Sequence, residues 1–207
     1  MRSDNRAIST VADALGLGAA KVDTAYTSLE SVIDVMSEIK AKLVAAREPG
    51  VDKTKINDEI KELKNQLISA AQSASFSGEN WLYNTGDDAL GIKSVVASFV
   101  RSADGNVKVT TLDFDTANSV LIDIETPEQG YLTKPLDLAD VMTDPPAFGP
   151  YSIIDMDDPE ADGVVQLKAD TTYEEIDGMI SVTDFILKGL TNAASTLGAI
   201  TKRIEMQ

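Results

Sequence analysis

A chain of 207 residues with 18 Lys and Arg against 34 Asp and Glu carries a net charge of −16 and contains neither Cys nor His. Without imidazole or thiol there is no Ser-His-Asp or Cys-His nucleophile, no Cys/His zinc site, no haem or iron–sulfur ligation of the usual kind and no disulfide. The acidic balance argues against nucleic acid and anionic membranes as partners, and no run of apolar residues is long enough to span a bilayer.

Aromatic residues make up 5% of the chain, so a core must be built from Ala, Leu, Ile and Val. The first residues lead into no uninterrupted apolar stretch, and a cleaved secretory signal is not expected. From Val22 the apolar residues Ala25, Leu29, Val32, Met36, Ile39 and Leu43 alternate steps of three and four, a heptad seam. Together with Ile8, Val11 and Leu15 they predict one helix from about residue 4 to 47, roughly 65 Å long. Pro49-Gly50 ends it. Asp52 is a plausible N-cap for a second helix carrying Ile56, Ile60, Leu63, Leu67, Ala70 and Ala74, so the two form an antiparallel hairpin.

The period then changes from 3.5 to 2. Residues 92–100 and 107–114 flank Asp104-Gly105, a strong hairpin signal, and residues 119–124 read as a third strand. Six of the seven prolines fall between Pro127 and Pro159, beside the acidic stretch 155–162, which predicts a turn-rich insertion. Thr172 followed by Glu175 is a capping box. It opens a third helix with a seam through Ile176, Ile180, Thr183, Leu187, Leu190, Ala194, Leu197, Thr201 and Ile204. Gly178, Gly189 and Gly198 would weaken that helix by up to about 1 kcal/mol each. The first helix is about twice as long as the second, so part of the first and third must run past the second and pair mainly with each other.

Few residues suggest chemistry. Residues 86–94 approach a phosphate-binding loop, but Ile92 separates the second Gly from Lys93, and Asp87 and Asp88 would repel a phosphate. Asp158, Glu160, Asp162 and Gly163 match the opening of a calcium loop, yet Ala169 stands where the bidentate Glu belongs and Pro159 sits inside. Acids interleave with Lys along the helices, as in Glu38 with Lys42 and Asp58 with Lys61, a pattern of exposed helix faces. Trp81 is the single Trp, so no aromatic sugar platform accompanies the acids. The chain reads as a non-enzyme without cofactor or metal; an acidic calcium-binding or hydrolase module in residues 127–163 is the rival reading.

Residues 1–9 (MRSDNRAIS) and 14–25 (ALGLGAAKVDTA) closely resemble the amino-terminal region of bacterial flagellin of the alphaproteobacterial type. Ser75-Phe76-Ser77-Gly78-Glu79-Asn80-Trp81-Leu82 is similar to the segment by which that family leaves its second helix, and Leu197-Gly198-Ala199 through Arg203 to the signature of its carboxyl-terminal helix. The resemblance covers residues 1 to 84 and 172 to 207. It implies a self-assembling structural subunit of the flagellar filament, secreted through the flagellar type III apparatus to the cell exterior and used for motility. Export unfolded through a narrow channel fits a chain with no Cys and no cleaved signal. The hook–filament junction protein shares this organisation and is the close alternative.

Family members extend further at both ends, so the resemblance implies a fragment of a longer parent, with Met1 internal and the tail site for an export chaperone absent. Glu38, Ala41, Lys42 and Leu43 occupy the helix surface that an innate Toll-like receptor reads in other flagellins. There Ala41-Lys42 replaces the family's Arg-Glu, and recognition is not expected.

The expected architecture is α+β: an elongated rod of three long heptad-patterned helices, a β-hairpin region and a small β-rich, Pro-rich inserted domain. Residues 1–84 form the amino-terminal helical part, 85–125 the hairpin and strand region, 126–170 the variable acidic insertion and 171–207 the carboxyl-terminal helix. The helices meet through Val22, Leu29, Met36, Ile39, Ile60, Leu63, Leu67, Ile180, Leu187, Leu190 and Leu197. The partners expected are further flagellin subunits, with no nucleic acid and no membrane.

Overall fold

The computed structural model describes residues 2–206 and is α+β, with long helices bracketing a middle of short strands and ordered loops. Helix α1 runs Arg2–Ala45, where no Pro interrupts the ladder, and the chain turns back at Gly50, whose φ of +81° only glycine adopts freely. Helix α2 spans Lys53–Ser73. Its N-cap is Asp52, whose carboxylate accepts from the Thr54 and Lys55 N–H groups and from the Thr54 hydroxyl. Such a cap stabilises a helix by about 1 kcal/mol. Two further elements follow the middle of the chain: the short α3, Leu138–Val141, and α4, Tyr173–Glu205. The start of α4 is a complete capping box, with Glu175 N–H on the Thr172 hydroxyl at 3.2 Å and Thr172 N–H on the Glu175 carboxylate at 2.7 Å. Among the described residues no helix is long and apolar enough to cross a membrane.

Helices α1 and α4 are antiparallel. Tyr26 packs on Gly198, Lys40 pairs with Asp184 at 2.6 Å and Arg47 with Asp177 at 2.8 Å, so the contacts advance along α1 as they retreat along α4. The buried residues of α1 and the turn after it include Val22, Ala25, Leu29, Val32, Met36, Ile39, Leu43 and Ala46. On α2 they are Ile60, Leu63, Leu67 and Ala71.

The face of α4 departs from the one read in the sequence. Its buried line runs Ile176, Met179, Thr183, Ile186, Leu190, Ala193, Leu197, Ile200 and Ile204. Ile180 and Leu187, seam positions by their spacing, are only half-buried on the flank. Positions three and four residues on from a given residue lie about 60° to one side and about 40° to the other. Both are apolar at 179/180 and 186/187, so spacing alone could not choose between them. Thr183 is wholly buried within the line, its hydroxyl donating to the Met179 carbonyl at 2.7 Å.

The glycines of α4 also do more than weaken it. A Cβ at Gly178 would lie 3.1 Å from Leu138, one at Gly189 would lie 2.8 Å from the Tyr131 ring, and one at Gly198 would lie 3.2 Å from the Tyr26 ring. Each glycine is a slot for a side chain from another element.

Beyond the end of α2, the exposed flank of α1 is covered by strands rather than left as a two-helix tip. The strands β1, Ser75–Phe76, and β2, Glu79–Asn80, make a tight hairpin. Its central residues Ser77 (φ 52°) and Gly78 (φ 80°) both have positive φ, as a type I′ turn requires. Glu79 reaches Lys21 on α1 at 3.1 Å. The expected long hairpin is present as β4, Ile92–Arg101, and β5, Val107–Asp115, after the two-residue β3, Tyr83–Asn84. Its turn closes through Gly105 N–H on the Ser102 carbonyl, with Gly105 at φ +81°. Its base packs on α1 where Gly18 meets Val95, and Phe114 stacks on Trp81 at 5.6 Å.

Residues 119–124 do not extend this hairpin. Only Ile122–Asp123 is a strand, β6, and it pairs in parallel with β3. The cause is local: Thr116–Asn118 forms a 3-10 turn that swings the chain away from β5, and Leu82 carbonyl captures the Leu121 N–H at 2.8 Å.

The 126–170 segment is not a β-rich domain. It contains a 3-10 turn, α3 and two isolated bridges, Leu136 with Tyr151 and Ser152 with Val164. Leu132, Leu138, Ile153, Val165 and Leu167 belong to the same apolar cluster as the three long helices. The segment is therefore part of the common core.

Candidate functional site

The residues singled out for chemistry have structural partners. The Gly86–Ser94 loop wraps the buried Asn84 side chain, which accepts from Gly86 N–H at 3.2 Å and donates to the Asp88 carbonyl at 3.0 Å and to the Asp123 carboxylate at 2.9 Å. In the calcium-like stretch, Asp158 accepts from Glu160 N–H, Glu160 pairs with Lys61 at 2.7 Å and Asp162 with Lys168 at 2.8 Å. Among the described residues no group of three or more acidic side chains is arranged to hold a metal.

The charged pairs read along single helices are in part pairs between elements. Lys42 bonds Glu59 on α2 rather than Glu38, and Lys61 bonds Glu160 rather than Asp58. Of the four residues that the resemblance places where other flagellins are read by a receptor, Glu38 and Ala41 are exposed, Lys42 is held by Glu59 and Leu43 is fully buried. They do not share one surface.

One polar arrangement goes beyond the expected contacts. On α2, Lys53 donates to the Thr171 carbonyl at 2.5 Å, Asn57 accepts from Leu167 N–H at 2.8 Å, and Lys64 donates to the Val165 carbonyl. With the Lys61–Glu160 pair, these side chains clasp residues 160–171 against the helix. The steps of four, four and three from Lys53 to Lys64 place them on one face beside the apolar line, a signal the sequence does contain. Without the strap at hand, they read as solvated charges.

Lys64 has no carboxylate partner in this clasp. Burial, with a smaller contribution from the Lys61 charge, pushes its ammonium down to about 8. The unfolded chain then holds more protons than the folded one above that pH, so stability should rise as pH increases from about 8 to about 9.5. The expected gain is about 1–2 kcal/mol. It should disappear in Lys64→Met; denaturant melts across that range would read the difference, and equal slopes in both proteins would refute it.

The helix interface gathers most of the residues assigned to it by the sequence. Val22, Leu29, Met36, Ile39, Ile60, Leu63, Leu67, Leu190 and Leu197 are buried in one cluster, with Ile180 and Leu187 packed at its edge. Some apolar side chains stay open to solvent. The first turns of α1 leave Ile8 exposed and Val11 and Leu15 half-buried. The distal half of the β4–β5 hairpin leaves Phe99, Val100, Val107 and Val109 exposed.

The contacts gathered here are packing contacts within the chain. Residues 1–87 match the model of the bacterial flagellin N-terminal helical region. The chain is 60% identical to flagellin C of Rhizobium meliloti along its whole length, covering 65% of that protein. It is 62% identical to a flagellin A of Rhizobium meliloti over 59% of this chain and 31% of that one. It is also 40% identical to a flagellin of Brucella melitensis over 59% of this chain and 45% of the relative. The chain thus spans less than two thirds of the length of each of these relatives. With the flagellin amino-terminal region lying on α1 and α2 and the identity to flagellin C running on through the middle and α4, the chain belongs to the bacterial flagellin family, on its alphaproteobacterial branch.

Proposed function

We propose that the chain serves as a structural, non-catalytic part of a flagellar filament subunit, outside the cell, assembling with further copies to support motility. The observation that carries this reading is the 60% identity to a flagellin along the whole chain. The relatives compared are flagellins, which favours the filament subunit over the hook–filament junction protein and over a calcium-binding or hydrolase module. Export as an unfolded chain through the flagellar type III apparatus, with a chaperone engaging the full-length subunit, belongs to the same reading and is supported by the absence of Cys.

The architecture proposed to serve it is an elongated rod in which α1, α2 and α4 meet along heptad seams. Residues 1–84 and 171–207 supply the helices, 85–125 the hairpin and strand region, and 126–170 an acidic segment whose apolar residues join the helix core while Asp157, Asp158, Glu160 and Asp162 face solvent. The helix contacts are Val22, Leu29, Met36, Ile39, Ile60, Leu63, Leu67, Leu190 and Leu197, with Ile180 and Leu187 at the margin. Engagement by the innate receptor is proposed to be weak. The pairing of Lys42 with Glu59 and the burial of Leu43 support that.

The test places these 207 residues in the frame of flagellin C, in place of its matching segment, in a bacterium deleted for its own flagellins. Filaments by electron microscopy and restored swimming are expected. Secreted protein without filaments would refute the reading.

A further inference from the structure

A cavity of about 780 Å³ lies between residues 148–152, the 161–172 stretch and the first turns of α4. Tyr151 lines it and is only 5% exposed. The Tyr151 ring packs against Gly149 and Gly178 and meets Phe148 edge-on at 6.5 Å. The hydroxyl of Tyr151 makes no hydrogen bond with any described residue, yet no wholly buried polar side-chain atom among them lacks a partner. The hydroxyl is therefore the part of Tyr151 left open, and the cavity is where it opens. Burial, with the Glu175 charge adding to it, pushes this hydroxyl up to about 12, so it stays neutral near pH 7. A polar group so enclosed and without a protein partner is a place for a ligand atom.

The charges around the cavity say which kind of ligand. Its lining carries Asp155, Asp162, Asp170 and Glu175 against Lys168. Lys168 is taken by Asp162 at 2.8 Å. The other three carboxylates have no cation bonded to them among the described residues. Asp155 uses one oxygen for the Asp157 and Asp158 N–H groups, Glu175 uses one for the Thr172 N–H, and Asp170 accepts no hydrogen bond, so each keeps a free oxygen. An anionic ligand would be repelled here. Among the described residues the acids are not grouped as ligands to a metal ion. Three separated negative charges around a long cavity, with the aromatic edge of Phe148 in its wall, fit several positive charges spaced along one flexible molecule.

We infer that this cavity binds a linear aliphatic polyamine, with one ammonium group on the Tyr151 hydroxyl and Glu175 and the others on Asp155 and Asp170. The ammonium hydrogens donate to the free carboxylate oxygens and to the phenol oxygen, and the methylene links lie along Phe148 and Met179. This site stands on the cavity alone and does not depend on the filament reading.

The experiment is calorimetric titration of the 207-residue chain with spermidine in about 0.15 M salt, repeated in the presence of magnesium. One spermidine should bind per chain, and magnesium at equal concentration should not displace it. Tyr151→Phe removes only the hydroxyl and should weaken binding about tenfold. Asp170→Asn, at an exposed position, should also weaken it severalfold. Asp58→Asn makes the same change of charge on exposed α2, away from the cavity, and should leave binding within about twofold of wild type. Melting temperatures without ligand should be unchanged in Asp170→Asn and Asp58→Asn, which keeps the comparison valid even if Tyr151→Phe alters folding. Absence of binding, weak binding at many equivalent sites that magnesium displaces, or equal losses in Asp170→Asn and Asp58→Asn would each overturn the inference. So would a folded Tyr151→Phe chain that binds like the wild type.

Discussion

Gly130→Ala is expected to be the most destabilising single-methyl change in the chain, costing about 3 kcal/mol or more. A Cβ there would meet the Thr133 hydroxyl, lie 2.7 Å from the Leu121 carbonyl oxygen and 2.9 Å from the Asp123 nitrogen. Two of those atoms are backbone of the segment that carries β6, and they cannot turn aside as a flexible side chain would. The neighbouring hydrogen bonds show how little room is left. Leu132 N–H donates to the Leu121 carbonyl at 2.8 Å, and the Thr133 hydroxyl donates to the Pro127 carbonyl at 2.7 Å. Gly130 itself has an ordinary extended backbone (φ −95°), so the cost is one of space and not of conformation. Chemical denaturation of the variant measures it. A loss below about 1 kcal/mol would mean that the 126–134 turn is free to shift, and that the tight closure around β6 is not a source of stability.

Asn84→Asp should lose about 3 kcal/mol at neutral pH and recover part of it in acid. Asn84 is 4% exposed and Asp123 is 2% exposed. The Asn84 amide donates to the Asp123 carboxylate at 2.9 Å, and Thr126 N–H donates to it at 2.7 Å. A carboxylate in place of the amide would set two like charges in contact and strip the donor from the Asp88 carbonyl as well. The new carboxyl would titrate upward, because protonation removes the repulsion and restores a donor. In linkage terms the folded variant binds a proton that the unfolded chain has already released. Its stability is then greatest at low pH and is lost as pH rises through that raised value. Melts of wild type and variant at about pH 4.5 and about pH 7.5 should differ less at the lower pH. An equal difference at both would show that the lost amide contacts, and not charge repulsion, carry the effect.

The helices were legible in the sequence because their signals are local. A run without proline, an Asp or Thr placed at a helix start and a line of apolar residues each act within a few residues, and all three long helices begin or end where these signals stand. The long hairpin was legible for the same reason, through Asp104-Gly105 between two alternating runs. The misreadings fall where the deciding partner is distant in the chain. Ile180 and Leu187 are as apolar as Met179 and Ile186, and the direction of α1 decides which pair is buried. Residues 119–124 have strand composition, but the Leu82 carbonyl takes the Leu121 N–H before β5 can be extended. Lys61 reads as part of a solvated helix face until residues 160–171 are laid over α2 and bring Glu160 to it.

Composition and local pattern alone therefore determined that this chain has no Cys or His to serve as a nucleophile, base or metal ligand, and that it is built on long helices with a hairpin between them. Those conclusions depend on residue types and on spacings of a few residues, which no fold can alter. Tertiary structure decided which flank of α4 faces inward, that the proline-rich segment joins the common core, and which acids and lysines meet. Burial and pairing depend on what the rest of the chain brings alongside, and that is set by long-range packing of elements whose own sequences allow more than one arrangement.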